Sequence, residues 1–400
     1  MKNQLPNIEA VRGEIFERTN PLVPCIGPAL SNQLGIVLGE DIISDVDMPA
    51  LPTSRMDGYA LRLRDWLPGK ILSIAGSTMA GDSPGKLPDT ECCYQIATGA
   101  PLPIGADSVI PFENTISFHD SIKILPDIVA NSSYIRLPGE EFRKGQILVK
   151  SGTSLGPVEY GLIALAGRTA IKQFEFPKIA LISTGNEIVE PGIKPSAQQI
   201  RNSNGPMLMA QLCRAGAMPR FLGICPDKIE PMQSLIGEGA TYDSMVLSGG
   251  ASKGEFDLVK KALIYAGYEI FVFGVMMKPG KPFFCAKHPN GRLAFGLPGN
   301  PISAFVCFEL FVRPSIQIMR GISQNQKLSK KIGLLAKELN WISDRPFVLP
   351  MKRNKSNILN PCLMAGSSDL AAISGANSLA ILASSGELKS GDQIEYICLE

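Results

Sequence analysis

Ser244-Met245-Val246-Leu247-Ser248-Gly249-Gly250 is an apolar run that ends abruptly on a serine and two glycines. Beyond it, Phe256, Val259 and Leu263 recur at i, i+3 and i+7, the stripe of a helix. A strand, a glycine loop and a helix are therefore expected in that order. A second apolar run, Ile270 to Val275, gives way to Lys278-Pro279-Gly280-Lys281-Pro282, where a Pro-Gly turn keeps two ammonium groups close together outside any regular helix. A third, Leu293 to Leu297, breaks at Pro298-Gly299-Asn300-Pro301 and Ser303 and feeds an apolar helix predicted from Ala304 to about Ile318. Unpaired N–H groups at the start of that helix suit an anion.

Three strand ends thus converge on loops rich in Gly, Pro, Lys and Ser, the place where an open α/β sheet binds its ligands. Singly, Lys278 and Lys281 read equally well as solvated, Ser303 as a helix cap and the Pro-Gly pairs as turns. Their coincidence is what points to a site.

Working outward, residues 177 to about 320 alternate strand and helix, which predicts a mostly parallel sheet with helices on both faces. Glu187, Asp227 and Asp257 fall in successive loops at strand ends. Such hard oxygen donors hold Mg²⁺ loosely, with water and phosphate completing the shell, although first-turn helix positions suit acids as well. Upstream, Asn7 is predicted to cap a helix carrying Ile8, Val11 and Ile15 on one face, and Pro157 to open a second helix to Ala166. Short apolar runs separated by Gly and Pro fill residues 25 to about 146, an all-β insertion. Within it, Asp57-Gly58 reads first as a hairpin dipeptide and the cluster around Thr98 as a turn. From about 325 the pattern returns to short strands, interrupted at Asp344-Arg345-Pro346-Phe347 and Gly366-Ser367-Ser368-Asp369. There Arg345 is a surface ion pair and Ser368 an N-cap on the plainest reading.

The expected fold class is multidomain α/β plus β: a central α/β domain with a mostly parallel sheet over 177–325, an N-terminal helical segment (1–24 and 147–176) with an inserted β domain (25–146), and a small C-terminal β domain (326–400). A chain of 400 residues with 45% hydrophobic and 19% charged residues can bury several cores and is not disordered. A net charge of +2 gives no footprint for nonspecific nucleic-acid binding. Nine cysteines without a C-x-x-C pair suit a reducing compartment. Two histidines, His119 and His288, leave little for a zinc site or a histidine triad. No apolar run approaches the ~20 residues of a membrane span and the N-terminus lacks a signal-like core, so a cytoplasmic location is expected.

The motifs also carry a resemblance. Ser248-Gly249-Gly250 with Gly254 and Asp257, Lys278-Pro-Gly-Lys-Pro282, and Gly296-Leu-Pro-Gly-Asn-Pro-Ile-Ser303 resemble the signature loops of the molybdopterin molybdenumtransferases, the MoeA and gephyrin E-domain family. Ser54-Arg55-Met56-Asp57-Gly58-Tyr59-Ala60 and Ala97-Thr98-Gly99-Ala100-Pro101-Leu102-Pro103 extend the similarity into the insertion.

The resemblance implies insertion of molybdate into adenylylated molybdopterin with Mg²⁺-dependent release of AMP, in a homodimer whose insertion completes the partner's site. It makes the central domain the molybdopterin-binding one and carries Asp57 and Thr98 over as substrate-side residues. Glu187, Asp227 and Asp257 become the metal ligands, and Lys278, Lys281, Arg345 and Ser367 or Ser368 the molybdate contacts. Ser248, Gly249, Gly250, Pro298, Gly299, Asn300, Pro301 and Ser303 shape the seat for pterin and phosphate. A molybdopterin adenylyltransferase is a candidate partner; nucleic acid and membrane are not. Glu141, Lys228, Lys253 and Pro346 depart from the family pattern. Two rivals use the same fold: a molybdopterin adenylyltransferase-like or nucleotide pyrophosphatase enzyme built on the α/β domain alone, and a non-catalytic scaffold.

Overall fold

The computed structural model describes residues 5–29, 34–127, 134–249, 256–322 and 330–399, with the side chains of residues 256 and 257 outside that description. The central sheet has six strands in the order Met218–Cys225, Lys178–Thr184, Ser244–Ser248, Leu293–Leu297, Phe284–Lys287 and Glu269–Phe273. The first four pair in parallel, and Phe284–Lys287 runs antiparallel to both its neighbours. Every residue of Ser244–Ser248 and Leu293–Leu297 is buried, as parallel strands covered on both faces require. The sheet is mostly parallel, as expected. Phe284–Lys287 is the strand that sequence reading missed. It follows Lys281-Pro282 so closely that its run merges with the loop. The chain doubles back from Glu269–Phe273 into it, and this reversal throws the Lys278–Pro282 loop out at the end of the sheet where the parallel strands finish.

Three helices that flank the sheet are α3 (Asn204–Arg214), α4 (Ile229–Gly239) and α5 (Phe256–Tyr265). The helix expected from Ala304 starts earlier: Pro301–Cys307 is α-helical, Phe308–Val312 widens to a π turn, and Arg313–Met319 resumes the α-helix. The whole run Pro301–Met319 is long and apolar enough to cross a membrane, yet 89% of its apolar window is buried inside the protein, which makes it the core helix of the domain.

The N-terminal helix α1 (Ile8–Arg18) buries Ile8, Val11 and Ile15 in the same cluster as Phe308, Phe311 and Ile316. It therefore belongs to the central core and not to a helical domain shared with 147–176. Asn7 caps it, accepting the Ala10 N–H at 2.8 Å. Asn7→Ala is expected to cost about 1 kcal/mol locally. Hydrogen exchange at the first turn of α1 would read this as roughly fivefold faster opening; unchanged rates would mean that packing alone holds the turn.

The pairing also redraws the boundary at residue 25. Cys25–Pro28 and Val37–Leu38 flank Ala170–Phe174 in a three-stranded antiparallel sheet, and Ile42–Ile43 pairs with Ile147–Val149. With α2 (Pro157–Leu165), they enclose one core of Ile36, Leu38, Ile42, Val149 and Ile163. The insertion proper lies between these strands. It holds a six-stranded sheet in which Gly58–Leu61 pairs with both Cys92–Ile96 and Ser108–Pro111. Asp57-Gly58 is thus not a hairpin turn. A Cβ at Gly58 would stand 2.1 Å from the Ile110 carbonyl oxygen, so close strand approach, and not turn geometry, requires glycine there.

The C-terminal domain is a closed five-stranded barrel of Lys330–Leu335, Ile358–Pro361, Phe347–Arg353, Ser378–Leu382 and Gln393–Cys398, with a side two-stranded antiparallel ribbon of Leu339–Ile342 and Ser385–Leu388. It docks on the central domain at backbone level. Lys278 N–H donates to the Pro346 carbonyl at 2.9 Å and Val348 N–H to the Lys278 carbonyl at 2.7 Å.

Candidate active site

The sheet's strand ends face the barrel across a cleft of about 1160 Å³. A tetrahedral oxyanion would fill a small part of it; the volume suits a ligand of nucleotide size or larger.

Four loops build the sheet side. Gly249 ends its strand at φ +101°, and a Cβ there would stand 2.1 Å from the Thr184 carbonyl oxygen, so the backbone passes where no side chain fits. Asn204, at the start of α3, donates through Nδ2 to Ser248 Oγ at 2.9 Å and to the Gly299 carbonyl at 2.7 Å. Because that carbonyl only accepts, the amide orientation is determined. Ser248 is buried and acts through this stitch, while Gly249 and Gly299 line the cleft. Gly250 lies outside the described residues.

Pro298, Asn300, Pro301 and Ser303 also line the cleft. The helix start is less open to an anion than expected. Pro301 has no N–H, the Ile302 N–H donates to the Ser367 carbonyl at 3.0 Å, and the Ala304 N–H to the Asn300 carbonyl at 2.9 Å. The seat narrows to Ser303. Ser367 is tied in a second time by Asn300 Nδ2 at 2.9 Å, so of the two neighbouring serines it is the one anchored to the helix start; both line the cleft.

Lys278 and Lys281 are exposed on the cleft, and among the described residues neither forms an ion pair. The turn between them is pressed onto the core: at Gly280, φ +111°, a Cβ would meet Met277 Cε at 2.5 Å and Cys307 Sγ at 2.7 Å. Burying Pro279 and Gly280 leaves both ammonium groups pointing outward. On the barrel side, beside the Lys278–Pro346 backbone bond, Arg345 is clamped by its neighbour. Its Nε donates to Asp344 Oδ1 at 2.8 Å and its Nη2 to Oδ2. This pairing, with the Lys278 charge adding to it, holds the Asp344 carboxyl below its usual range. The plain ion-pair reading of Arg345 is therefore correct, and Arg345 also lines the cleft.

Two of the three acids can be placed at the side-chain level. Glu187 lines the cleft, and Asp227 sits one loop away, its Oδ2 accepting the Asn186 N–H at 3.1 Å. The side chain of Asp257 lies outside the described residues, and among those described no group of three metal-ligating side chains is close enough to hold an ion. Asp57 and Thr98 are brought together, the Thr98 N–H and Oγ1 donating to Asp57 Oδ1 at 2.8 and 3.2 Å, but they do not line this chain's own cleft.

Sequence reading missed Asn204, Arg201, Trp341 and Asp344, all on the cleft. Asn204 was legible in Asn202-Ser203-Asn204-Gly205 at a helix start; Trp341 had no local signal. Cys362 is the only cysteine among the described lining residues, and burial pushes its thiol up, away from a reactive thiolate.

Comparison with known proteins agrees with this architecture. The family model described as the MoeA N-terminal region (domain I and II) matches residues 7–167, and that of a probable molybdopterin binding domain matches residues 180–318. A molybdopterin molybdenumtransferase of Haemophilus influenzae is 34% identical over 292 residues, 73% of this chain and 72% of that protein. The chain belongs to the molybdopterin molybdenumtransferase family. Its relative from Staphylococcus aureus (strain Mu50) is 31% identical over 329 residues, 80% of this chain and 77% of that one. A crystal structure of a molybdopterin biosynthesis MoeA protein from Pyrococcus horikosii superposes with a TM-score of 0.83 at 29% identity, over 99% of this chain and 100% of the other. The match to residues 7–167 removes the reading of an enzyme built on the α/β domain alone. Membership in this family of enzymes likewise sets aside the non-catalytic scaffold.

Proposed function

We propose that this enzyme inserts molybdate into adenylylated molybdopterin and releases AMP, giving the molybdenum cofactor. The observation that carries the reading is the convergence of Lys278, Lys281 and Arg345 with Ser303 and Ser367 on one cleft, with Glu187 on its wall. Ammonium, guanidinium and hydroxyl donors are the groups that hold a tetrahedral dianion, and they suit molybdate and tungstate alike. Gly249 and Gly299, without side chains, leave a phosphate room on the cleft that Pro298 and the Ser303 hydroxyl also line.

Glu187 and Asp227, with Asp257, are the residues that would hold Mg²⁺. Oxygen-only donors joined through Asn186 fit a hard, water-rich ion. Bound there, Mg²⁺ supplies charge neutralisation at the phosphate being cleaved. The chain's own work is to position the oxyanion, orient the nucleotide-linked pterin and exclude water; no covalent nucleophile is needed when positioning and charge do the chemistry.

We further propose a homodimer in the cytoplasm. The Asp57–Thr98 pair, away from its own cleft, would complete the partner's. All nine cysteines are unpaired, which suits a reducing compartment.

The test is AMP release from adenylylated molybdopterin by the purified protein, followed by chromatography. Release that needs both Mg²⁺ and molybdate supports the reading. Consumption of ATP with unmodified molybdopterin, or no release under any condition, overturns it.

A further inference from the structure

The cleft that holds the cations also has an apolar stretch of wall, and nothing above gives that stretch a task. Trp341, Phe347 and Met364 line the cleft while sitting only partly buried at the edge of the barrel's core of Leu335, Leu339, Leu349 and Met351. A planar group laid against them would extend that core into the cleft.

Trp341 is held for such a role. Its strand pairs with Ser385–Leu388 so that Trp341 stands opposite Gly386, and its Nε1–H donates to the Ala383 carbonyl at 2.9 Å. A Cβ at Gly386 would meet the ring at 2.8 and 2.9 Å, so the indole lies against bare backbone. The hydrogen bond and the glycine hold the ring in one orientation before any ligand arrives. A pre-placed aromatic sharing a cleft with ammonium groups is the arrangement that takes a flat ring carrying phosphate.

We propose that Trp341 is the stacking platform for a planar heteroaromatic ring of the substrate, and so a specificity residue of the site. The inference rests on the proposed function, which provides two rings, adenine and pterin. It commits to the class they share, a planar nitrogen heterocycle, and its test separates them.

The chain has two tryptophans, and the other, Trp66, is buried in the inserted domain. In a Trp66→Phe background the emission therefore reports Trp341 alone. Titration with AMP, with 6-hydroxymethylpterin and with inorganic pyrophosphate is expected to give saturable quenching by at least one ring-bearing probe and none by pyrophosphate. The probe that quenches identifies the ring. Trp341→Ala should weaken binding of that probe, followed by calorimetry, about 10- to 100-fold, and Trp341→Phe should restore it to within a few fold. In the AMP-release assay, Trp341→Ala should raise KM far more than it lowers kcat.

Absence of quenching by both ring probes overturns the proposal. So does a folded Trp341→Ala variant that binds both as the parent does. The two readings fail separately: AMP release that proceeds with an unaltered KM in Trp341→Ala removes the stacking role alone. Ring-specific quenching without molybdate-dependent AMP release removes the transferase reading alone.

Discussion

Replacing Glu309 by alanine is expected to lower the stability of the central domain by about 3–5 kcal/mol. Glu309 is fully buried in the π turn of the core helix. Its Oε1 accepts from Gln211 Nε2 at 2.6 Å and from Arg214, and its Oε2 lies 3.0 Å from Arg313 Nε, a charge contact without hydrogen-bond alignment. Arg313 is the partner that matters. Burial pulls its pKa down, and the Glu309 charge is what opposes that. Without the acid, a buried guanidinium is left unpaired, which costs more than the pair contributes. Arg214 is 43% exposed at its side chain and turns to water at little cost.

The effect should be read by urea unfolding of the full chain. Glu309→Leu with Arg313→Met is expected to recover most of the loss, because it removes both charges. Recovery stops short of complete because Arg313 Nη2 also donates to the Cys398 carbonyl of the barrel at 2.9 Å. A single Glu309→Ala variant within 1 kcal/mol of the parent would show that Arg313 finds water, and the network would lose its structural role.

Lys281→Ala is expected to reduce molybdate-dependent AMP release by about 100-fold or more, the scale on which one preorganised charge at a reacting oxyanion acts. Its melting temperature should not move, since the side chain is exposed and makes no ion pair among the described residues. Lys281→Arg keeps the charge with a different shape and should fall between. Arg345→Ala is expected to do more than delete a donor. It releases Asp344, whose carboxylate is then left to offset the Lys278 charge that the oxyanion needs. Adding Asp344→Asn to Arg345→Ala should therefore restore part of the activity. Equal rates for the single and double variants would place Asp344 outside the oxyanion's reach, and a Lys281→Ala enzyme at parental rate would sink the cationic wall as the molybdate seat.

Much of the site was legible because it is written in short loops. Lys278-Pro279-Gly280-Lys281 must turn wherever it stands, and Gly280 and Gly249 occupy backbone conformations that disfavour other residues. Periodicity located the central strands and the helices that follow them for the same local reason. The longer barrel strands were legible as apolar runs, and Ile358–Pro361 and the ribbon strand Leu339–Ile342 were not, because four residues carry too little pattern.

By itself, then, the amino-acid sequence determined the kinds of element, the order of the domains and the chemistry offered by each loop, all of which depend on residues within a turn or two of one another. Only the folded chain decided that Cys25–Pro28, Val37–Leu38 and Ile42–Ile43 leave the insertion to pair with Ala170–Phe174 and Ile147–Val149, and that Arg345 is already held by Asp344. It also decided that Asn204 ties two loops together and that Trp341 shares a cleft with the lysines. Contacts of that kind join groups tens to hundreds of residues apart, and no local preference selects them; they exist because buried apolar faces and backbone donors each admit few ways of being satisfied at once.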